Sequence, residues 1–438
     1  MKNYFLQVII LLLSLNVHAQ QTQTVFGNIT DEASKVPLIG ATVVLAGDEA
    51  KGTVTDEYGN FRLLNVPIGR QSFKVSYTGY EVRIIPDVIV TAGKEVSLNL
   101  TLQESVRKLD EVTIVYNRSR DPNNTNNEMA MVSSRSFNID DTKKYAGAIG
   151  DPSRMAANFA GVVSGNDSRN DIVVRGNSPS GMLWQLNGLN IPNPNHFGTL
   201  NSTGGPVSML NNNNLDKSDF LTSAYPAQYG NALAGVFDLR MRDGNIENYE
   251  FMGQVGFNGF ELGAEGPISR KSKSSFLLNY RYSTLGVFQA LGINFGTGAS
   301  LPIYQDVNYK FTTKVGKKGT LSLFGIAGVS KIDLLGDNVD TSGANFFGTA
   351  YSDTYTDFHT TITGLTYKHY ITGNTTMKLT LGYCTTHEGF NVDSISYLDR
   401  SIVLPVADGN LNTSKLSAVW ALSHKFNARN SMEAGVIY

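Results

Sequence analysis

The chain has 438 residues, with 36 basic and 38 acidic side chains and a formal charge of −2, so no basic stripe offers itself to nucleic acid. Its 43 glycines, 10% aromatics and only 17% charged residues suit an antiparallel β protein rich in turns and aromatic belts, and suit a secreted β-sandwich equally. The single cysteine, Cys384, excludes an internal disulfide and any Cys-based metal cluster.

At the N-terminus, Met1-Lys2 is a short positive region, Phe5–Leu15 an apolar run and Val17-His18-Ala19 a small-residue cleavage signature. This predicts a secretory signal over residues 1–19. No cysteine follows the cleavage site, which excludes a lipoprotein anchor there. No later run reaches the roughly 18 apolar residues of a spanning helix, so any membrane-crossing structure must be β.

Residues 23–103 read as a β-sandwich. Short alternating runs at Val43–Leu45, Asn60–Leu64, Ser72–Tyr77 and Glu95–Leu102 are separated by turn signals such as Glu57-Tyr58-Gly59-Asn60 and Pro67-Ile68-Gly69. Phe73, Val75 and Tyr77 mark the apolar face of one strand at a period of two. The strings VPLIGATVVLAG (36–47), GTVTDEYGNFRLLNVPIG (52–69) and SYTGYE (76–81) resemble the carboxypeptidase-regulatory-like domain, which implies a transthyretin-like sandwich. The segment has no histidine and no zinc-ligand spacing, so the reading is a structural or docking module without peptidase chemistry.

Residues 108–127 hold a β-prone run and a polar linker. Asp110, Glu111, Val112, Thr113, Ile114, Val115 and Tyr116 are either the last strand of the sandwich or an unpaired edge ready to add to a partner's sheet. The run resembles the TonB box of TonB-dependent outer-membrane receptors, which implies contact with the TonB complex of the inner membrane. The Gly-Tyr-Gly continuation of SusC-type glycan importers is replaced by Tyr116-Asn117-Arg118.

In residues 133–244, Asp151-Pro152 offers an N-cap and an N1 proline for a short helix through Asn158. Ile172–Val174 forms a strand running into Arg175-Gly176, and Leu183–Leu186 a strand ending in a turn at Asn187-Gly188. Tyr229-Gly230 then leads into an apolar strand, Gly235–Leu239. The order resembles the plug domain of the same receptor family, with Asn187 in place of the usual Asp; Asp219–Pro226 departs from the family's usual approach to the exit. The resemblance implies a mixed α/β plug in which Arg175, Gly176, Asn187, Gly188, Tyr229 and Gly230 are structural. Asp238 and Arg240 are candidate plug–barrel contacts. The loop bearing Asn193, Asn195 and His196 and the amide run bearing Asn212 and Asn213 are candidate ligand contacts, or ordinary hydrated turns.

Residues 249–438 alternate repeatedly at period two. Phe276, Leu278, Tyr280 and Tyr282 alternate with Leu277, Asn279, Arg281 and Ser283, and Val307, Tyr309, Phe311, Thr313 and Val315 with Asp306, Asn308, Lys310, Thr312 and Lys314. One apolar, aromatic-tipped face and one charged face per strand predict a transmembrane antiparallel β-barrel with the lipid bilayer outside and water inside. The segment holds about eight to ten strands, where plugged transporters use about 22, so the expectation is the first part of a barrel in an N-terminal piece of a longer protein. The fold class is therefore mainly β: sandwich, then plug, then partial barrel.

The resemblance implies an outer-membrane receptor that imports a scarce ligand (siderophore, chelate, oligosaccharide or peptide). The sandwich and the box-like strand would lie in the periplasm. No catalytic residue, metal or cofactor is expected, since the six histidines are scattered and no hydrolase motif occurs. An adhesin or scaffold using the same architecture without transport is the alternative.

Overall fold

The computed structural model describes residues 22–105, 147–165, 168–199, 202–256, 259–283, 302–336, 351–396 and 401–438, with residues 125, 127, 129–130, 133–137, 142, 145 and 398–399 between them. The box-like residues 110–116 and the signal segment lie outside the described residues. The chain separates into two units, the first built on the N-terminal sandwich and the second on everything from residue 123 onward.

The described residues of the first unit form eight strands: β1 (Thr22–Asp31), β2 (Thr42–Leu45), β3 (Asp48–Val54), β4 (Asn60–Pro67), β5 (Gly69–Ser76), β6 (Arg83–Val90), β7 (Val96–Ser97) and β8 (Leu100–Leu102). One sheet runs β4-β1-β7 with β8 also on β1, and the other runs β3-β2-β5-β6. Phe73 and Val75 point inward onto Val25, Ile29, Val43, Phe61 and Leu102 while Lys74 between them faces out to Glu49. This is the ordinary economy of a sandwich: apolar alternates cover the core and polar alternates meet water. Strands β1, β3 and β6 are elements that pattern reading passed over.

The plug-like part of the second unit is a five-stranded sheet of order β13-β12-β17-β16-β9. Its strands are β9 (Ser134–Phe137), β12 (Met182–Leu186), β13 (Leu189–Ile191), β16 (Ser218–Leu221) and β17 (Gly235–Leu239). The pairs β10 (Val162–Ser164) with β11 (Ile172–Val174), and β14 (Asn195–His196) with β15 (Val207–Ser208), add two small ribbons. Strands β12 and β17 are parallel and every residue of both is buried, as a central parallel pair covered on both faces must be. Helix α1 (Pro152–Ala156) starts as expected: the Asp151 carboxylate accepts Ser153 N–H at 2.8 Å and Pro152 occupies the first turn. It stops at Ala156, short of Asn158.

The last nine strands form one antiparallel sheet in sequence order: β18 (Glu250–Gly256), β19 (Gly259–Ser269), β20 (Ser274–Tyr282), β21 (Ile303–Val315), β22 (Gly319–Leu334), β23 (Ser352–Thr372), β24 (Thr375–Ile395), β25 (Val403–Asn427) and β26 (Asn430–Ile437). Connections 270–273, 316–318, 373–374 and 428–429 at one end are short, whereas at the other 257–258 is short but 283–302, 335–351 and 396–402 are longer. That asymmetry is typical of outer-membrane barrels. Strands β23 and β24 have 21 residues each, about twice the 9–11 that cross a bilayer. Their outward face changes character along that length, from the pairs Leu365–Leu381 and Tyr367–Leu379 to His359–His387 and Asp353–Asp393 toward the longer connections.

Burial on this sheet is the reverse of that in the sandwich. Asn279, Arg281, Asp306, Asn308 and Lys310 are buried, while Leu278, Tyr280 and Phe311 are exposed. The expectation of a water-facing inner side is corrected for strands β19–β21. Their polar side is packed against the plug-like body, because a folded segment of the same chain occupies the space that water would fill. Further along, Phe324, Ile326, Ile362 and Cys384 on the inner face join Trp184, Leu186, Leu189 and Phe237 in one hydrophobic cluster. No helix among the described residues is long and apolar enough to cross a membrane.

Candidate functional site: the plug and its seam with the barrel wall

An amide relay shapes the apical loop. Asn170 donates to Asp151 (2.6 Å) and to Asn195 Oδ1 (2.7 Å), Asn195 donates to Asn193 Oδ1 (2.6 Å), and Asn193 donates to the Gly204 carbonyl (2.9 Å). Gly205 N–H closes the relay on Asn170 Oδ1 at 2.7 Å. Burial holds the Asp151 carboxyl above the ordinary carboxylate range, although the hydrogen bonds from Asn170 and Ser153 pull it down. One buried aspartate thus caps α1 and orders a loop more than forty residues away in sequence.

The next two residues fasten that loop to the barrel wall. His196 Nε2 lies 3.0 Å from Asp306 Oδ2, and Arg281 donates to the same oxygen through Nε (2.8 Å) and Nη2 (2.6 Å). Arg281 also reaches the Ser208 carbonyl at 2.5 Å, and Asn308 spans Met209 O and Asp306 Oδ1 at 3.1 Å each. Phe197 inserts between Tyr304 and Phe358, and its N–H donates to Ser330 Oγ at 3.2 Å. Its φ of 55° is a left-handed conformation that a bulky residue adopts only when its surroundings enforce it. A Cβ on Gly328 would overlap Met209 Sδ and come within 2.9 Å of His196 Cε1, so the wall is notched to admit this loop.

A second group of contacts lies around the turn 211–214 and the plug exit. Glu261 Oε1 accepts from Asn211, Asn213 and Asn279, each at 2.8 Å. Asn212 donates to Thr142 Oγ1 at 2.9 Å and to the Gly150 carbonyl. Arg242 forms a two-pronged pair with Glu265, both bonds 2.6 Å, and Lys310 binds the Met241 carbonyl (2.7 Å) and Asp243 (2.8 Å). Apart from Asp243, whose side chain is about half exposed, these charges are buried, so each depends on its partner for the solvation that water no longer supplies. None of Arg242, Glu261, Glu265, Arg281 or Asp306 stood out in the sequence as a seam residue. The only signal was their parity, since they occupy the polar alternates of barrel strands or follow the plug's last strand.

The five ligand candidates do not form one cluster. Asn193, Asn195 and His196 belong to the apical relay and its mooring, whereas Asn212 and Asn213 sit in the turn beside Glu261. Asn195 and His196 are buried, and all five spend their side chains on partners inside the protein. The Asn187-Gly188 turn is elsewhere again: Lys378 binds the Asn187 carbonyl at 2.6 Å, close to the short-turn end of β24. Both turn residues have positive φ, 52° and 86°, as a two-residue hairpin turn requires, and Asn tolerates that conformation as well as Asp does. Asn187 Oδ1 also accepts Met241 N–H at 3.0 Å.

Arg175 and Gly176 form a similar turn, with φ of 50° and 80°, and Arg175 donates to Ser133 Oγ at 2.8 Å. Tyr229 donates to Asp238 Oδ2 (2.9 Å) and accepts from Asn127 (3.0 Å). Its phenol is pushed up by burial and by the Asp238 charge. Asp238 stays within the plug, with Arg240 at 3.7 Å. Asp219, its cross-strand neighbour, accepts Asn127 N–H (3.1 Å) and Ser136 Oγ (2.7 Å). Asp219 and, through Tyr229, Asp238 therefore hold Asn127, and Asp219 also holds Ser136 of β9.

The comparisons with known proteins agree with this architecture. The family model of the carboxypeptidase regulatory-like domain matches residues 24–103, and that of the TonB-dependent receptor plug domain matches residues 128–236. The chain carries a TonB-dependent receptor plug behind a carboxypeptidase regulatory-like domain. A search of curated proteins returned no match. Among solved structures, the siderophore receptor PirA of Acinetobacter baumannii is 15% identical, covering 67% of this chain and 45% of its own at a TM-score of 0.42. The ferric-catecholate import receptor Fiu of E. coli K12 is 13% identical, covering 69% and 48% at 0.46. A cohesin–X-dockerin complex of Acetivibrio cellulolyticus is 29% identical over 19% of this chain and 58% of its own, at 0.17. The chain spans about half the length of the two receptors it matches.

Proposed function

We propose that this chain belongs to an outer-membrane receptor that imports a scarce ligand by energy-coupled movement of its plug. The observation that supports this best is the continuity of the plug core with the wall: Phe324, Ile326, Ile362 and Cys384 pack directly on Trp184, Leu189 and Phe237. A plug seated this way leaves no standing path along that side, so transport requires work. Releasing a nanomolar ligand alone takes about 12 kcal/mol. The outer membrane holds no nucleotide and sustains no potential, so the work comes from an inner-membrane TonB complex that pairs with Asp110–Tyr116.

In this reading the longer connections face the cell exterior and the short turns the periplasm, where the N-terminal domain also lies. The protein has no catalytic role. Ligand meets the apical loop, whose exposed parts include Thr199 and Pro206, with Asn193, Asn195 and His196 shaping it from behind. The turn at Asn212 and Asn213 contributes a second contact region. The ligand is a siderophore, another chelate, an oligosaccharide or a peptide. Deleting residues 110–116 from the full-length receptor tests the proposal: uptake of radiolabelled candidate ligands falls to background while surface binding persists. Uptake unchanged by the deletion defeats the transport reading in favour of an adhesin or scaffold.

A further inference from the structure

The charge balance at the mooring of the apical loop has a consequence for acidity. Asp306 supplies one negative charge, and Arg281 already answers it with two hydrogen bonds to Oδ2, while Asn308 occupies Oδ1. The imidazole of His196 approaches the same Oδ2, so it enters an already neutral pair as an N–H donor only. The other groups facing it do not offer a spare anion. On β19, Glu261 is bound by three neutral amides and its charge acts on Arg281, whereas the charged groups acting on His196 are Asp306 and Arg281; on β21, the Tyr304 ring lies tilted at 4.8 Å; on β22, Ser330 and the Gly328 notch are uncharged. From the plug side, Asp151 is reached only through Asn170 and Asn195 and is itself capping α1, with Arg154 4.0 Å away. A proton added to His196 would leave one uncompensated cation in a seat where the side chain is 1% exposed.

We propose that seating of the plug's apical loop is proton-linked through His196, so that acid detaches residues 192–199 and 202–208 from the barrel wall. The sign follows from burial. Desolvation holds the seated imidazole below its ordinary pKa, more strongly than Asp306 raises it, whereas in the detached loop it regains a value near 6.5. The seated state is therefore fully favoured above about pH 6.5 and loses ground as pH falls through that value. Between pH 7.5 and 5.0 the largest shift one such histidine can produce is roughly 30-fold. The inference needs only the plug in its wall and holds whether or not the receptor transports.

Hydrogen exchange followed by mass spectrometry on the purified full-length receptor tests it, with labelling times scaled for the intrinsic effect of pH. Residues 195–199 and 202–209 should exchange about 10- to 30-fold faster at pH 5.0 than at pH 7.5, relative to residues 182–191. His196→Gln retains an N–H toward Asp306 without titrating, and should abolish the step while keeping the loop protected. Gly328→Ala fills the notch and should expose the loop at both pH values. A wild type without the step, or a step that survives in His196→Gln, overturns the proposal. A Gly328→Ala loop as protected as wild type at pH 7.5 overturns the seat geometry on which it stands.

Discussion

Val75 in the sandwich and Tyr309 in the barrel occupy the same position in the same pattern, an apolar side chain flanked by polar ones, and they finish on opposite sides. Val75 is fully buried with Lys74 outside; Tyr309 faces outward while Asn308 and Lys310 are buried behind it. Alternation specifies a strand with two unlike faces. What lies beyond each face decides which one is covered. In the first unit a second apolar sheet face is available, so water takes the polar alternates. In the second, the plug supplies hydrogen-bond partners to the polar alternates, and the apolar ones are left facing outward.

The contrast can be broken most directly by placing a cation on each apolar face. Val75→Lys should cost about 5 kcal/mol or more and unfold the sandwich, because no partner exists in that core; loss of protection at Phe61 and Phe73 in hydrogen exchange would register it. Removing one partner of the seam's buried pair, Arg242→Ala, should cost about 3–5 kcal/mol in equilibrium unfolding of the full-length receptor. Adding Glu265→Ala should cost clearly less than the sum of the two single changes. Strict additivity would mean that the two charges are not coupled.

Leu365→Lys, on the outward face, should cost about 2–4 kcal/mol if that position lies near the bilayer midplane, and the same change at His359 much less. Equal costs at the two positions would refute the lipid band. Gly382→Ala forces a methyl group onto Leu189 of the plug and should cost about 1–3 kcal/mol, read as loosened plug protection with the strand pairing intact. The smallest effect is expected at the cap of α1. Asp151→Ala should lose about 1 kcal/mol, and Asp151→Asn should restore most of it.

The parts of this fold legible in sequence are those set by local chemistry. Asp151-Pro152 starts a helix because a carboxylate accepts the first free N–H groups and proline needs none. Asn187-Gly188 turns because both residues accept positive φ. The strand-rich last segment announced itself through its period. The seam did not. Asp306, Arg281 and His196 are distant in sequence, and nothing in any one of the three strings says that they share an oxygen. Asn195 and His196 resembled exposed loop residues because Asn and Pro cluster in turns. They are buried because the loop folds inward onto a wall more than a hundred residues later in the chain.

Mainly β character and the division into a sandwich, a plug-like segment and alternating strands could be read from the chain's own letters, since turn chemistry and side-chain period are local properties. Which face of the barrel strands is buried, which polar groups fasten the plug, and the seat of the apical histidine beside the Arg281–Asp306 pair emerge from the fold alone. Those outcomes depend on desolvation and charge balance, which exist only once distant residues have met.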